Sequence, residues 1–100
     1  MSPERTQAYR RVMNTLDELG PTKLQSDEQD RIRHAADNLI FSSSLDEDGA
    51  AREGLRDTEQ LSAALVESGR WEAVTAERLQ HDLRACGPGE GSGAPVAAAA

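Results

Sequence analysis

Apolar residues recur at helical spacing in four separate segments of the chain. Each set of positions falls on one stripe of a helix with 3.6 residues per turn, and no segment alternates apolar and polar residues as a strand would. The pattern predicts four helices, near residues 3–19, 27–41, 49–68 and 76–86. In chain order the stripes are Tyr9, Val12, Met13 and Leu16; Ile32, Ala35, Ala36, Leu39 and Ile40; Ala51, Leu55, Thr58, Ser62 and Leu65, flanked by Leu61 and Val66; and Ala76, Leu79, Leu83 and Cys86.

Capping and breaking residues bound these segments. A short polar side chain before a helix can accept a hydrogen bond from a free backbone N–H, and glycine or proline commonly ends a helix. Val74 and Leu79 also have the spacing of a hydrophobic staple around the last cap. The predicted caps are Ser2, Ser26, Asp48 and Thr75, and the predicted stops are Gly20-Pro21, Gly69 and Gly87-Pro88.

The two halves of the chain share a weak repeat. Gly20 is followed six residues later by Ser26, and Gly69 is followed six residues later by Thr75. Each half is therefore predicted to form a helix hairpin, and two hairpins can bury four stripes only against each other. We expect an all-α, compact four-helix domain over residues 1–87.

The end of the chain has a different composition. Residues 88–100 offer only Val96 as a large apolar side chain and contain three glycines and two prolines. Such a segment has too little apolar surface to offset the entropy of ordering it. We expect a disordered Gly/Ala/Pro-rich tail.

The net charge restricts the partners. Eighteen acidic residues against eleven Lys and Arg give a formal charge of −7, which opposes binding to nucleic acid or to anionic lipid and favours a protein with a basic surface. One cysteine excludes an internal disulfide, and the first residues lack the apolar run of a signal peptide or membrane helix. We expect a cytoplasmic protein.

The histidines do not form a convincing metal site. Asp30 with His34, and Glu77 with His81, are carboxylate–imidazole pairs at the spacing that binds metals in helical bundles. Each histidine, however, lies about 200 degrees around its helix from a core leucine or isoleucine. The pairs point away from the apolar stripes and cannot converge in the core.

The segment 44–55 resembles a calcium-binding loop only in part. Asp46, Asp48 and Gly49 fit its third, fifth and sixth positions, but Ser44 and Leu55 stand at the first and twelfth, where carboxylates are needed. We predict a solvated acidic connector that supplies a helix cap. No cofactor is indicated.

Catalysis and DNA recognition find little support. Cys86 lies at a helix C-terminus, where the helix dipole disfavours the thiolate, and no activating base or phosphate loop is identifiable. A helix-turn-helix reading would place Asp27, Glu28 and Asp30 against DNA phosphates. We predict a protein that is not an enzyme.

The candidate partner-binding residues lie around the second connector and Trp71. Phe41 is about 180 degrees from Ile32, so it faces away from its own helix's core stripe. Alternatively, the chain turns at Ser42 and folds Phe41 and Leu45 over the end of the bundle. The candidate residues are Phe41, Leu45, Asp46, Glu47, Asp48 and Trp71.

Trp71 has two interpretations. It follows a glycine in a connector, where a large ring can cover the ends of several helices, and tryptophan is also enriched in interface hot spots. We favour the covering role.

Together these patterns predict a small acidic protein-interaction module, a non-enzymatic adaptor or regulator of a partner with a basic, partly apolar groove. The alternative is a helical protein that binds a small ligand or metal, with outward histidines of two chains meeting at a homodimer interface.

Truncation after Gly87 tests the tail. Because residues 88–100 add almost no apolar burial, we expect the melting temperature of the truncated protein to equal that of the full chain. A loss of several degrees in a thermal melt followed by circular dichroism would show that the tail docks on the domain.

Overall fold

The structure is a computed structural model that describes residues 3–88, and it is all-α. Four helices are present: α1 (Pro3–Lys23), α2 (Ser26–Ile40), α3 (Gly49–Glu67) and α4 (Ala73–Cys86). The predicted four-helix domain is confirmed. The cap predicted at Ser2 lies outside the described residues, and so does the tail predicted for residues 88–100, apart from Pro88. Within the described part of the chain, none of the helices has the length and apolarity needed to cross a membrane.

The helices form two hairpins that pack on each other. The most extensive contacts run between the hairpins, with α1 along α4 and α2 along α3, whereas contacts within each hairpin are fewer. Successive helices alternate in direction, so α2 and α4 run parallel to each other and are in contact. The starts of α1 and α3 therefore share one end of the bundle with the C-termini of α2 and α4.

The core follows the predicted stripes closely. In α2 all five predicted residues are buried. In α1 the stripe is rotated slightly, so that Ala8 and Thr15 are buried while Tyr9 and Met13 are only partly covered. The largest fully enclosed side chains come from all four helices and are Val12, Leu16, Ile32, Leu39, Thr58, Leu79, Leu83 and Cys86.

Two glycines break the helices as predicted, and both need a left-handed backbone. Gly20 has φ 65° and interrupts α1, and Gly69 has φ 84°. After α3, the N–H of Gly69 donates to the Val66 carbonyl at 3.0 Å and the N–H of Arg70 donates to the Leu65 carbonyl at 3.0 Å. This is the Schellman arrangement, which satisfies the last carbonyls of the helix.

The cap of α3 is also confirmed. The Asp48 carboxylate accepts a hydrogen bond from the N–H of Ala51 at 3.0 Å. That bond is the main reason why the pKa of Asp48 is lowered from its ordinary value, because it stabilises the charged form.

The caps predicted for α2 and α4 are wrong. Helix α2 begins one residue earlier than a Ser26 cap allows, because Glu28 accepts the Gln25 N–H at 2.9 Å and makes Gln25 the cap. Helix α4 begins at Ala73 with Glu72 as its cap, so Thr75 lies inside the first turn.

The predicted staple fails with the Thr75 cap. Val74 is 63% exposed, whereas Leu79 is fully buried. Because the helix starts before Val74, this side chain is carried out to the solvent instead of packing on Leu79.

One buried charge could not be predicted from the sequence. Asp82 is 4% exposed on α4, and its carboxylate accepts a hydrogen bond from Arg11 Nε on α1 at 2.9 Å. A buried carboxylate requires such a partner. The pair therefore restrains the position of α1 relative to α4 along the helix axes.

Trp71 closes the end of the bundle opposite Phe41, which confirms the covering role. Its side chain is 4% exposed, and the indole Nε1 donates to the Lys23 carbonyl at 2.9 Å. The neighbouring Arg70 donates to both carboxylate oxygens of Glu28, at 2.6 and 3.1 Å, and these bonds lower the pKa of Glu28. The connector between α3 and α4 is thus bound to the start of α2.

Replacing Trp71 with alanine should destabilise the fold severely. Loss of the buried ring leaves a cavity, and we expect the free energy of unfolding to fall by about 3–5 kcal/mol. Trp71→Phe keeps an aromatic ring but removes the donor to the Lys23 carbonyl, so its loss should be about 1–3 kcal/mol. Urea unfolding measures both. Solvent-exposed tryptophan emission in the wild type, with an unchanged midpoint in the alanine variant, would contradict this.

Acid should weaken the cap of α3. Because the pKa of Asp48 is lower in the folded state, its stabilising contribution is present above its unfolded value of 3.8 and is lost as the pH falls through the folded value. Asp48→Asn keeps a capping oxygen without titrating. We therefore expect a smaller loss of unfolding free energy between pH 7 and pH 2.5 in the variant, measured by urea unfolding. Identical pH profiles would contradict the assignment.

Candidate partner-binding surface

Phe41 is the exposed aromatic residue of the described chain. It is the C-cap of α2, with a helical backbone conformation, and its side chain is 80% exposed. This is the orientation expected from its position opposite Ile32. The alternative, in which Phe41 and Leu45 both fold over the end of the bundle, is therefore wrong for Phe41, although Leu45 packs against the core.

The chain buries the next residue instead. Ser42 is 4% exposed, and its hydroxyl donates to the Ser44 carbonyl at 3.4 Å. A small polar residue thus turns inward while the large apolar one turns outward. This reverses the usual preference for burying apolar side chains.

Hydrogen bonds to its backbone carbonyls hold the connector after Phe41 in place. Arg52, in the first turn of α3, donates from Nη1 to the carbonyls of Leu45 at 2.5 Å and Asp46 at 2.8 Å. Leu45 itself is partly buried and packs against the core. It therefore anchors the connector and offers less free surface than the sequence predicted.

The acidic residues of the connector divide into two kinds. Asp46 and Glu47 are exposed, whereas Asp48 is half-buried and uses its carboxylate to cap α3. We call Phe41, Asp46 and Glu47 the Phe41 surface. It combines an exposed ring with two solvated carboxylates at one end of the bundle.

Trp71 does not belong to this surface. It lies at the opposite end of the bundle and is buried, so its side chain is not accessible to a partner. Burial in the bundle end already accounts for its position after Gly69.

The groups with catalytic or metal-binding chemistry are dispersed. His34 and His81 are both exposed, on α2 and α4, and within residues 3–88 no three His, Cys, Asp or Glu side chains lie close enough together to hold a metal ion. Burial, followed by the charge of Asp82, raises the pKa of the Cys86 thiol to about 12. That thiol is a packed core side chain and a poor nucleophile.

The sequence did not identify Arg5 as part of this end of the bundle. Its guanidinium, from the first turn of α1, donates to the carbonyls of Leu39, Ile40 and Ser42 around Phe41. The bonded residues are separated by 34 to 37 positions, so no local pattern could have indicated them.

Comparison of the chain with protein-family models, with curated proteins and with solved structures gives no match. The case for a function therefore depends on the Phe41 surface: its exposure, its charge and the hydrogen bonds that hold the neighbouring backbone in place.

Proposed function

We propose that the protein is a small acidic protein-interaction module, a non-enzymatic adaptor or regulator that binds its partner through the Phe41 surface. The partner carries an apolar contact for the ring and basic side chains for Asp46 and Glu47. A basic amphipathic helix or a basic, partly apolar groove has this chemistry.

The exposure of Phe41 is the observation that carries the proposal. An aromatic ring that is 80% exposed leaves apolar surface in water, and burying such a side chain stabilises by roughly 1.5–3 kcal/mol. The fold does not use this side chain in its own core. A partner that covers it gains that energy.

Charge favours a different protein over a second copy at this surface. Two copies meeting through Phe41 would bring Asp46 and Glu47 of each chain together, and the whole chain carries a formal charge of −7. Like charges oppose such a contact, whereas a basic partner is attracted and steered toward it.

The alternative, a small-ligand or metal-binding protein, has less support. His34 lines a groove between α2 and α3 with Asp30 and Asp57, but Asp57 already accepts two hydrogen bonds from Arg31, at 2.6 and 3.1 Å. The guanidinium places a positive charge where a metal would have to bind.

The proposal is tested with a fluorescently labelled synthetic helix made of leucine and lysine, which is amphipathic and basic. We expect it to bind the full chain in fluorescence anisotropy, and Phe41→Ser to weaken binding by about 30-fold, equivalent to roughly 2 kcal/mol. Replacing Asp46 and Glu47 with Asn and Gln should slow association, most strongly at low salt.

Two controls separate the Phe41 surface from general stickiness. Val74→Ser removes an exposed apolar side chain at the other end of the bundle and should leave binding unchanged. A helix of leucine and glutamate should not bind. Equal loss with Val74→Ser, or failure of the lysine peptide to bind, would contradict the proposal.

A further inference from the structure

Arg5 makes an unusual set of contacts at the end of the bundle that carries Phe41. Its Nε donates to the carbonyl of Cys86 at 2.8 Å. Its Nη2 donates to the carbonyls of Leu39 at 2.8 Å, Ile40 at 3.1 Å and Ser42 at 2.8 Å. One side chain from α1 therefore joins the C-termini of α2 and α4.

Helix geometry explains why a guanidinium is suited to this place. The last carbonyls of a helix have no partner within the helix, and the C-terminus carries a partial negative charge. The parallel helices α2 and α4 bring two such ends together. A planar cation with several N–H donors can satisfy both at once, whereas lysine donates from a single nitrogen.

We infer that Arg5 is a positioning residue for the Phe41 surface: it holds Ser42 inside the bundle and thereby keeps Phe41 outside. The carbonyls that it binds lie on both sides of Phe41, at Ile40 and Ser42. The role of Arg5 in partner binding rests on the proposed function, whereas its role in placing the Phe41 ring does not.

Removing Arg5 takes away both restraints. The carbonyls of Ser42 and of the two helix ends lose their donor, so the present turn is less favoured. Ser42 is then no longer held inside, so Phe41 is free to turn toward the apolar end of the bundle, where burial of the ring is favourable. Phe41 is then expected to fold toward the bundle.

The chain contains a single phenylalanine, which allows a direct test. Protein labelled with 4-fluorophenylalanine should give one fluorine signal, with the large shift between H2O and D2O that an exposed ring shows. In Arg5→Met that solvent shift should be largely lost. The spectra are taken at pH 7 and low temperature, where circular dichroism confirms folding, because a purely structural loss of stability does not move the signal of the folded state.

Two further variants complete the test. Arg5→Lys keeps the charge but has fewer N–H donors, so it should give an intermediate solvent shift. It replaces Arg5→Met in the test if that variant does not fold. Arg10→Met, at an exposed position on the same helix, should match the wild type. A wild-type solvent shift in both folded Arg5 variants would overturn the inference.

Binding of the leucine–lysine helix separates this inference from the proposed function. If both hold, Arg5→Met should bind about tenfold more weakly, although it leaves every residue of the Phe41 surface unchanged. A changed fluorine signal together with binding that does not depend on Phe41 would support the positioning role and contradict the proposed docking surface.

Discussion

One end of this bundle is organised by the hydrogen bonds from Arg5 to the ends of α2 and α4. Two parallel helices finish at the same end, so their unsatisfied carbonyls and partial negative charges converge there. Helix α2 has no basic residue in its last turn, and Arg84 in the last turn of α4 binds Glu59 instead. The guanidinium of Arg5, brought by α1, reaches Cys86 on α4 and Leu39, Ile40 and Ser42 beside α2, and so ties three of the four helices together.

The opposite end is closed by a complementary set of contacts. There the helices α2 and α4 begin, where negative charge is favourable, and Glu28 lies in the first turn of α2. Arg70 binds Glu28, and Trp71 covers the apolar interior while donating to the Lys23 carbonyl. Between these two ends, Arg11 and Asp82 join α1 to α4. Long-range polar contacts thus fix the alignment of helices whose apolar stripes alone would tolerate sliding.

The aromatic residue is buried at one end of the bundle and exposed at the other, and the proposed partner-binding surface lies at the end where it is exposed. Trp71 is 4% exposed and Phe41 is 80% exposed. At the Phe41 end the inward position is taken by Ser42, whose carbonyl is bound by Arg5. The ring is consequently left exposed just before the connector that carries Asp46 and Glu47. An apolar contact with a charged margin is the general composition of a protein-binding surface.

The sequence by itself determined the local features: the four helices from their stripes, the break at Gly69 from its need for a left-handed backbone, and the cap at Asp48. Each depends on neighbours within a few residues. Even the outward face of Phe41 follows from counting along α2. Only the tertiary structure shows that α1 lies along α4 and that Arg5 binds the carbonyls on both sides of Phe41, because these contacts join residues 34 to 81 positions apart. Helical periodicity carries no information about contacts at that separation.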